Sequence, residues 1–346
     1  MDLGQGEIYF ISERDGASNT GFIKIGLVRE RDGRDSFDRI KEHQTGNPRK
    51  LQMLAFVKTV LVSTVENSLH REFAASRMEG EWFQLDDSAL SQAMTRCRNL
   101  AESYTSHVPT LTVADALQAE QSTSHVIGAT SEHTTWQLQF LRAQLGAKLI
   151  DTVADEFRDY LRALYREGKD VSPFAKVKEQ QGSKRFNQSL FKEKFPTLWE
   201  QFTTEVSRPV GPFSVRKLAN VDLLDCPDLR ELQTLIFPLR EALGSGNLWT
   251  EVCETAHSRY LDLLSWESYF DEQQLLAGAY LKVACDTNEG ITGVCNWKRT
   301  WKSELKFSSE SAKKSYPEEY EQCSALTSPS TPVKIRRGSL LEASSE

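Results

Sequence analysis

Between Tyr9 and His70 the chain spaces five side chains of kinds that, gathered in one place, could cut a phosphodiester: Tyr9, Lys24, Arg39, Glu66 and His70. Such a cut needs a deprotonated water in line with the leaving oxygen, positive charge over the non-bridging oxygens, and a proton for the leaving group. Glu66 and His70 stand four residues apart, so on a helix both project from one face. Lys24, with a reference pKa of about 10.4, is a poor base at neutral pH unless burial or neighbours depress it. It is better suited to holding a phosphate, which leaves Tyr9 or His70 to move the proton. Taken singly, each residue has an ordinary structural reading: a strand tyrosine packs, and a helix arginine is solvated.

The elements that must position these groups are legible in the pattern around them. Residues 7–11 and 22–28 are short β-branched and aromatic runs separated by a polar, glycine-containing stretch, which predicts a β-hairpin carrying Tyr9 and Lys24. Asp35 or Ser36 can cap a helix with Phe37, Arg39, Ile40 and His43. Residues 51–62 read as a buried third strand, and Ser63 or Thr64 as the cap of a helix that places Glu66 in its first turn, facing solvent. Gly80 ends that segment, 82–85 gives a short strand, and Asp87 or Ser88 starts a further helix reaching about Tyr104. The expected result is an α+β layer with a three-stranded antiparallel sheet and helices.

The ordered set Glu7-Ile8-Tyr9, Ile23-Lys24-Ile25-Gly26, Arg39, Thr45-Gly46-Asn47-Pro48, Glu66 with Leu69-His70, and Gly80-Glu81-Trp82-Phe83 resembles a GIY-YIG nuclease domain. The resemblance is to the branch named for a meiotically up-regulated yeast gene and a phage T-five reading frame. It implies a metal-dependent endonuclease over residues 5–86. Tyr9 matches the first tyrosine of the motif, Arg39 its helix arginine, and Glu66 the glutamate that binds a single Mg²⁺ or Mn²⁺. One carboxylate with the remaining shell filled by water and phosphate is a normal site for such an ion. The departure is Lys24 at the second tyrosine position, a substitution usual for this branch. The resemblance further implies nucleic acid as partner, DNA rather than RNA, and settings such as phage defence or mobile elements. The rival reading is a non-catalytic module that keeps the fold as a docking surface for nucleic acid or protein.

Composition bounds these readings. A chain of 346 residues suits two domains. The absence of any apolar run near the roughly 18 residues of a membrane span, and of a leader pattern, predicts a cytoplasmic or nuclear protein. Its 6 cysteines include no CxxC pair, so neither a zinc ribbon nor a disulfide framework is expected. A formal net charge of −7 excludes binding nucleic acid by bulk electrostatics, so contacts must come from local basic patches.

The pattern predicts a nuclease-like domain over 1–105, a linker over 106–135, an α-helical substrate- or partner-binding domain over 136–324 with almost no strand, and a disordered tail over 325–346. Within the helical part, Tyr160-Leu161, Phe186 and Phe195-Pro196 through Phe202 are echoed by Tyr280-Leu281, Phe307 and Tyr316-Pro317 through Cys323, which suggests an internal duplication. Lys184 and Arg185 in the first copy, and Lys298 and Arg299 in the second, lie among aromatics and are candidate nucleic-acid contacts.

Overall fold

In the computed structural model, residues 4–336 are described apart from 16, 17, 34, 46, 79, 180, 181, 183, 220 and 329. Gly46 of the expected turn and tail residues 337–346 lie outside the described residues. The hairpin forms from β1 (Gly6–Asp15) and β2 (Ser18–Arg29), β3 (Lys50–Thr59) pairs with the far edge of β1, and β4 (Trp82–Gln84) with the far edge of β2. The antiparallel order is β3-β1-β2-β4, so the short strand makes the sheet four-stranded.

Alternation along the strands sorts two faces. Ile8, Phe10, Ile23 and Ile25 pack with Val62, Val65 and Leu69 of α2 (Val62–Glu72) and with Ala93 and Cys97 of α3 (Asp87–Thr105). Tyr9, Ile11 and Leu51 form a smaller cluster with Ile40 of α1 (Ser36–Gln44).

The segment expected to link two domains is packed. It contains α4 (Val108–Ala116), whose Leu111 and Ala114 are buried with Val60, Leu61, Leu276 and Ala279. Sparse apolar residues suggested a loose tether, but Leu111, Ala114 and Leu117 are buried, while Val113 and Val126 stay exposed.

Beyond it run α5 (Ser131–Arg166), β5 (Ala175–Val177), β6 (Lys184–Phe186), α6 (Gln188–Lys194), α7 (Pro196–Gln201), β7 (Thr203–Val210), β8 (Ser214–Val215) and α8 (Pro227–Gly244). Then come α9 (Trp249–Cys285), β9 (Gly290–Ile291), β10 (Cys295–Asn296), β11 (Thr300–Phe307), α10 (Ser309–Ser315), α11 (Pro317–Gln322), β12 (Ser324–Leu326) and β13 (Val333–Ile335).

The duplication is visible as reciprocal pairing. β6 pairs with β12 and β7 with β11, while β5 pairs with β13 and β8 with β10. Single bonds obey the same exchange: Arg216 N donates to Val294 O and Arg336 N to Phe174 O, each at 2.8 Å. The side chain of Gln137 then donates to Arg216 O at 2.8 Å, and the His257 imidazole to Arg336 O at 3.0 Å. The expectation of almost no strand after Thr135 therefore fails. These strands form by pairing between copies, and β11 is exposed along nearly all its length, so no apolar alternation announces it. The tail expectation fails in part for the same reason: Val333 and Ile335 of β13 are buried in the main helical core. Among the described residues no helix is long and apolar enough to cross a membrane.

Candidate functional site

The register of the hairpin places the first two candidates on one face. Tyr9 lies opposite Gly26, Ile11 opposite Lys24, and Lys24 in turn opposite Trp82 of β4. Gly26 is there because the Tyr9 ring crosses it: a Cβ on residue 26 would sit 2.5 Å from the phenol oxygen. Helix α1 covers this face. It starts at a capping box between Asp35 and Asp38, and the Glu7 carboxylate accepts from both Ser36 N, at 3.1 Å, and Ser36 Oγ, at 2.5 Å. Arg39 and His43, four residues apart, thereby reach Tyr9. The phenol oxygen is 3.2 Å from His43 Nε2, and Arg39, whose charge lowers the proton affinity of Tyr9, donates to Glu42 at 2.6 Å.

From the other side α2 brings Glu66 and His70 to the edge of β2 left open beyond the short β4. His70 Nε2 donates to Ile25 O at 2.8 Å, and its ring rests on Phe83 at 5.1 Å between centroids. Glu66 is 5% exposed, a correction to the solvent-facing position expected of it. The helix also begins earlier than expected, with Leu61 at the cap, so Glu66 falls beyond the first turn. Lys24 pairs with Glu81 at 2.7 Å, and Glu81 O accepts from Ile25 N at 3.1 Å.

The charges of this cluster act on one another. Burial raises the proton affinity of Glu66 well above the carboxylate range and Glu81 adds to it, against the pull of Arg29 and Lys24. Burial also pushes Glu81 upward, but the charge and hydrogen bond of Lys24 outweigh it and hold Glu81 ionised. Tyr9 is raised by burial and by Glu81, with Arg39 opposing and Glu66 adding, which keeps the phenol protonated. His43 is pushed down to about 4 by burial and then by Lys24 and Arg39; His70 falls to about 4 by burial, with Glu81 opposing. Both imidazoles are neutral at pH 7.

Tyr9, Lys24 and Arg39 share the face of the sheet that α1 covers, whereas α2, which carries Glu66 and His70, packs against the other face, a correction to the single cleft expected; the charges of Glu66 and Lys24 still act across the β2 edge. His70 spends its Nε2 on the backbone of β2, an anchoring bond, and is 7% exposed. The imidazole facing Tyr9 is His43. It lies one turn after Arg39 on the same helix face, and that spacing was the available signal. Glu81 stood in the quoted motif, and its neighbour Trp82 opposite Lys24 was the hint to its role.

The basic candidates of the helical part are dispersed. Lys184 is ion-paired with Glu321, Arg185 is exposed on β6, and Lys298 pairs with Glu289 at 2.9 Å. Arg299 is 1% exposed and stacks over Trp297, 3.8 Å from the ring centroid, while donating to Asp286 O. It offers no surface cation.

A divalent ion at this site has one buried carboxylate to hold it. Among the described residues no group of three or more His, Cys, Asp or Glu could hold a metal. Glu66 nevertheless fits the single-carboxylate kind of site, because a buried carboxylate with raised proton affinity and an acidic neighbour is a place where added positive charge is favourable.

Comparison with curated proteins and with solved structures finds no match. Residues 6–98, the span that holds Tyr9, Lys24, Arg39, His43, Glu66, His70 and Glu81, match the family model of the T5orf172 domain, the branch that the motifs resemble.

Proposed function

We propose that the N-terminal unit is a metal-dependent endonuclease of the GIY-YIG kind that hydrolyses phosphodiester bonds in DNA. The observation that supports this reading is Tyr9, bonded to His43 and flanked by Arg39 and Lys24 on one face of the sheet, in a segment that matches the T5orf172 family model, with the Glu66 carboxylate buried on α2.

Glu66 would hold one Mg²⁺ or Mn²⁺. When bound, that ion supplies positive charge to the non-bridging oxygens. The chain's own groups divide the remaining work. Arg39 and Lys24 are cations for the phosphate, Lys24 being steered by Glu81. Tyr9, protonated and hydrogen-bonded to neutral His43, can take a proton from an attacking water at its oxygen while passing its own to His43 Nε2, which, held near 4, releases it to solvent, and the leaving oxygen takes its proton from water. His70 fixes α2 against β2 and so holds Glu66 in place.

The test incubates purified protein with labelled single- and double-stranded DNA and RNA, with Mg²⁺ or Mn²⁺ and with chelator. Metal-dependent cutting of DNA, lost in Glu66→Gln, supports the reading. Binding of nucleic acid without cutting under every cation would instead make this fold a docking module.

A further inference from the structure

Helix α2 starts without a cap of its own. Leu61, at the cap position, has φ 51°, a left-handed conformation unusual for leucine, and offers no side-chain acceptor. The first amide, Val62 N, bonds Gly4 O at 2.9 Å. The next two are met from far along the chain: Ser63 N donates to Glu272 Oε1 at 3.1 Å and Thr64 N to Glu272 Oε2 at 2.7 Å. These are the amides that the side chain of an Asp or Asn cap would serve, here served by a carboxylate 209 and 208 residues away on α9.

The surroundings hold that carboxylate in place. Gly4, with φ +60°, leaves room for it, since a Cβ there would stand 2.8 Å from Glu272 Oε1. Arg29 ties Ser63 Oγ, at 2.7 Å, to Ser268 Oγ of α9, at 2.8 Å. Arg71 of α2 pairs with Asp228 and Glu231 of α8, each at 2.8 Å. Leu61 itself is buried between α4 and α9 with Leu111, Ala114, Leu276 and Ala279, which holds its strained backbone in place.

We propose that Glu272 is a positioning residue for the N-terminal site: reaching from the helical part, it completes the start of α2 and so sets where Glu66 stands. This rests on the nuclease reading. It makes the helical part a component of the site, and any movement of α9 a means of switching it. A carboxylate at a helix start is favoured by the partial positive charge of the unpaired amides, so both oxygens have work there and an amide can replace only one of them.

The experiment uses the full chain and three variants, Glu272→Ala, Glu272→Gln and Ser268→Ala. It measures deuterium exchange over residues 61–66, Mn²⁺ affinity by paramagnetic resonance, and the kcat and KM of cleavage. Glu272→Ala is expected to speed exchange at Ser63 and Thr64 and to weaken Mn²⁺ by about 10- to 100-fold, the usual loss when a support of a metal ligand is removed. The fall should be in kcat, with KM for nucleic acid little changed. Glu272→Gln, which keeps one acceptor, should lie between wild type and Ala, and it carries the comparison if the Ala variant does not fold.

Ser268→Ala loosens the docking but leaves the cap, and should keep Mn²⁺ affinity within about two-fold. Wild-type Mn²⁺ binding that Glu272→Ala leaves unchanged, or that Ser268→Ala weakens equally, would overturn the inference alone. A wild-type protein that binds no Mn²⁺ would overturn the nuclease reading and this inference with it.

Discussion

Buried polar groups are used differently in the two parts of this molecule. In the helical part they close structure: Gln137 and His257 satisfy two equivalent carbonyls, and Arg299 serves Asp286 O and the face of Trp297. In the N-terminal part, Lys24, Glu66, His70 and the Tyr9 phenol are all buried, on the two faces of one small sheet, and Glu81 raises the proton affinity of both Glu66 and Tyr9. Burying a carboxylate that no cation neutralises costs stability. We read a fold that keeps Glu66 so placed as retaining it for something other than packing, whereas in the helical part Gln137 and His257 show buried polar groups whose task is packing, and Glu272 there is turned toward the N-terminal part. The contrast locates the site more sharply than any single motif residue.

The largest effect that can break this contrast is at Glu66. Glu66→Gln should lower metal-dependent cleavage by about 10³-fold or more, since it removes the group that holds charge over the transition state. It should also leave the fold intact and alter its dependence on pH. The sign follows from the raised proton affinity of Glu66 in the folded state: the stability tied to this group is full below its unfolded pKa and is lost as pH rises through the raised folded value. Glu66→Gln, which cannot ionise, should not share that loss, so its melting temperature should fall less than the wild-type one as pH rises.

Next in size are the proton-transfer variants. Tyr9→Phe and His43→Ala should each cost about 10²- to 10⁴-fold in kcat while preserving the melting temperature to within a few degrees. His70→Ala should instead lower the melting temperature, because it breaks the bond to Ile25 O and the contact with Phe83. Activity lost in His70→Ala at full stability, with His43→Ala unaffected, would move the proton-transfer role to His70.

A smaller effect separates the parts by pH. His43 and His70 sit near 4 in the fold against an ordinary value of 6.5. The stability they contribute as neutral groups is therefore full above about pH 6.5 and is lost as pH falls toward 4. Deuterium exchange across that window should show β1, β2 and α2, which hold two such histidines, loosening more than the core between α5 and α9, where His257 is the buried imidazole lowered in the same direction. Uniform loosening would contradict the unequal distribution of buried charge.

The smallest effect concerns the surface. Charge reversal at Arg185, which is exposed, should weaken nucleic-acid binding slightly and reduce its salt dependence by about one phosphate contact. Reversal at Arg299 should disrupt packing instead.

Most of the N-terminal fold was legible because its signals are local. The hairpin runs, the Asp35 cap, Gly80 and the start of α3 at Asp87 each carry their own chemistry, and the motifs that carry the family resemblance, Tyr9, Arg39 and Glu66 among them, lie in the same segment. The duplication was legible too, from Phe195-Pro196 and its echo Tyr316-Pro317. What escaped depends on contacts distant in sequence. Val60-Leu61-Val62 reads as a continuing strand, and the chain turns into a helix there because Leu61 is captured by α4 and α9 and Glu272 supplies the cap. The same contacts make 106–135 a packed segment. His43 escaped for a different reason, since a helix histidine acquires meaning only once Tyr9 is seen beneath it.

The central claim is that Glu66 is kept buried to hold a catalytic cation, and melting with and without Mn²⁺ beside cleavage of labelled duplex DNA tests it most directly. The account predicts that Mn²⁺ at about 100 times its dissociation constant stabilises wild type by about 2.7 kcal/mol and supports chelator-sensitive cutting, and that folded Glu66→Gln shows neither. Equal stabilisation and equal cutting by Glu66→Gln would contradict it.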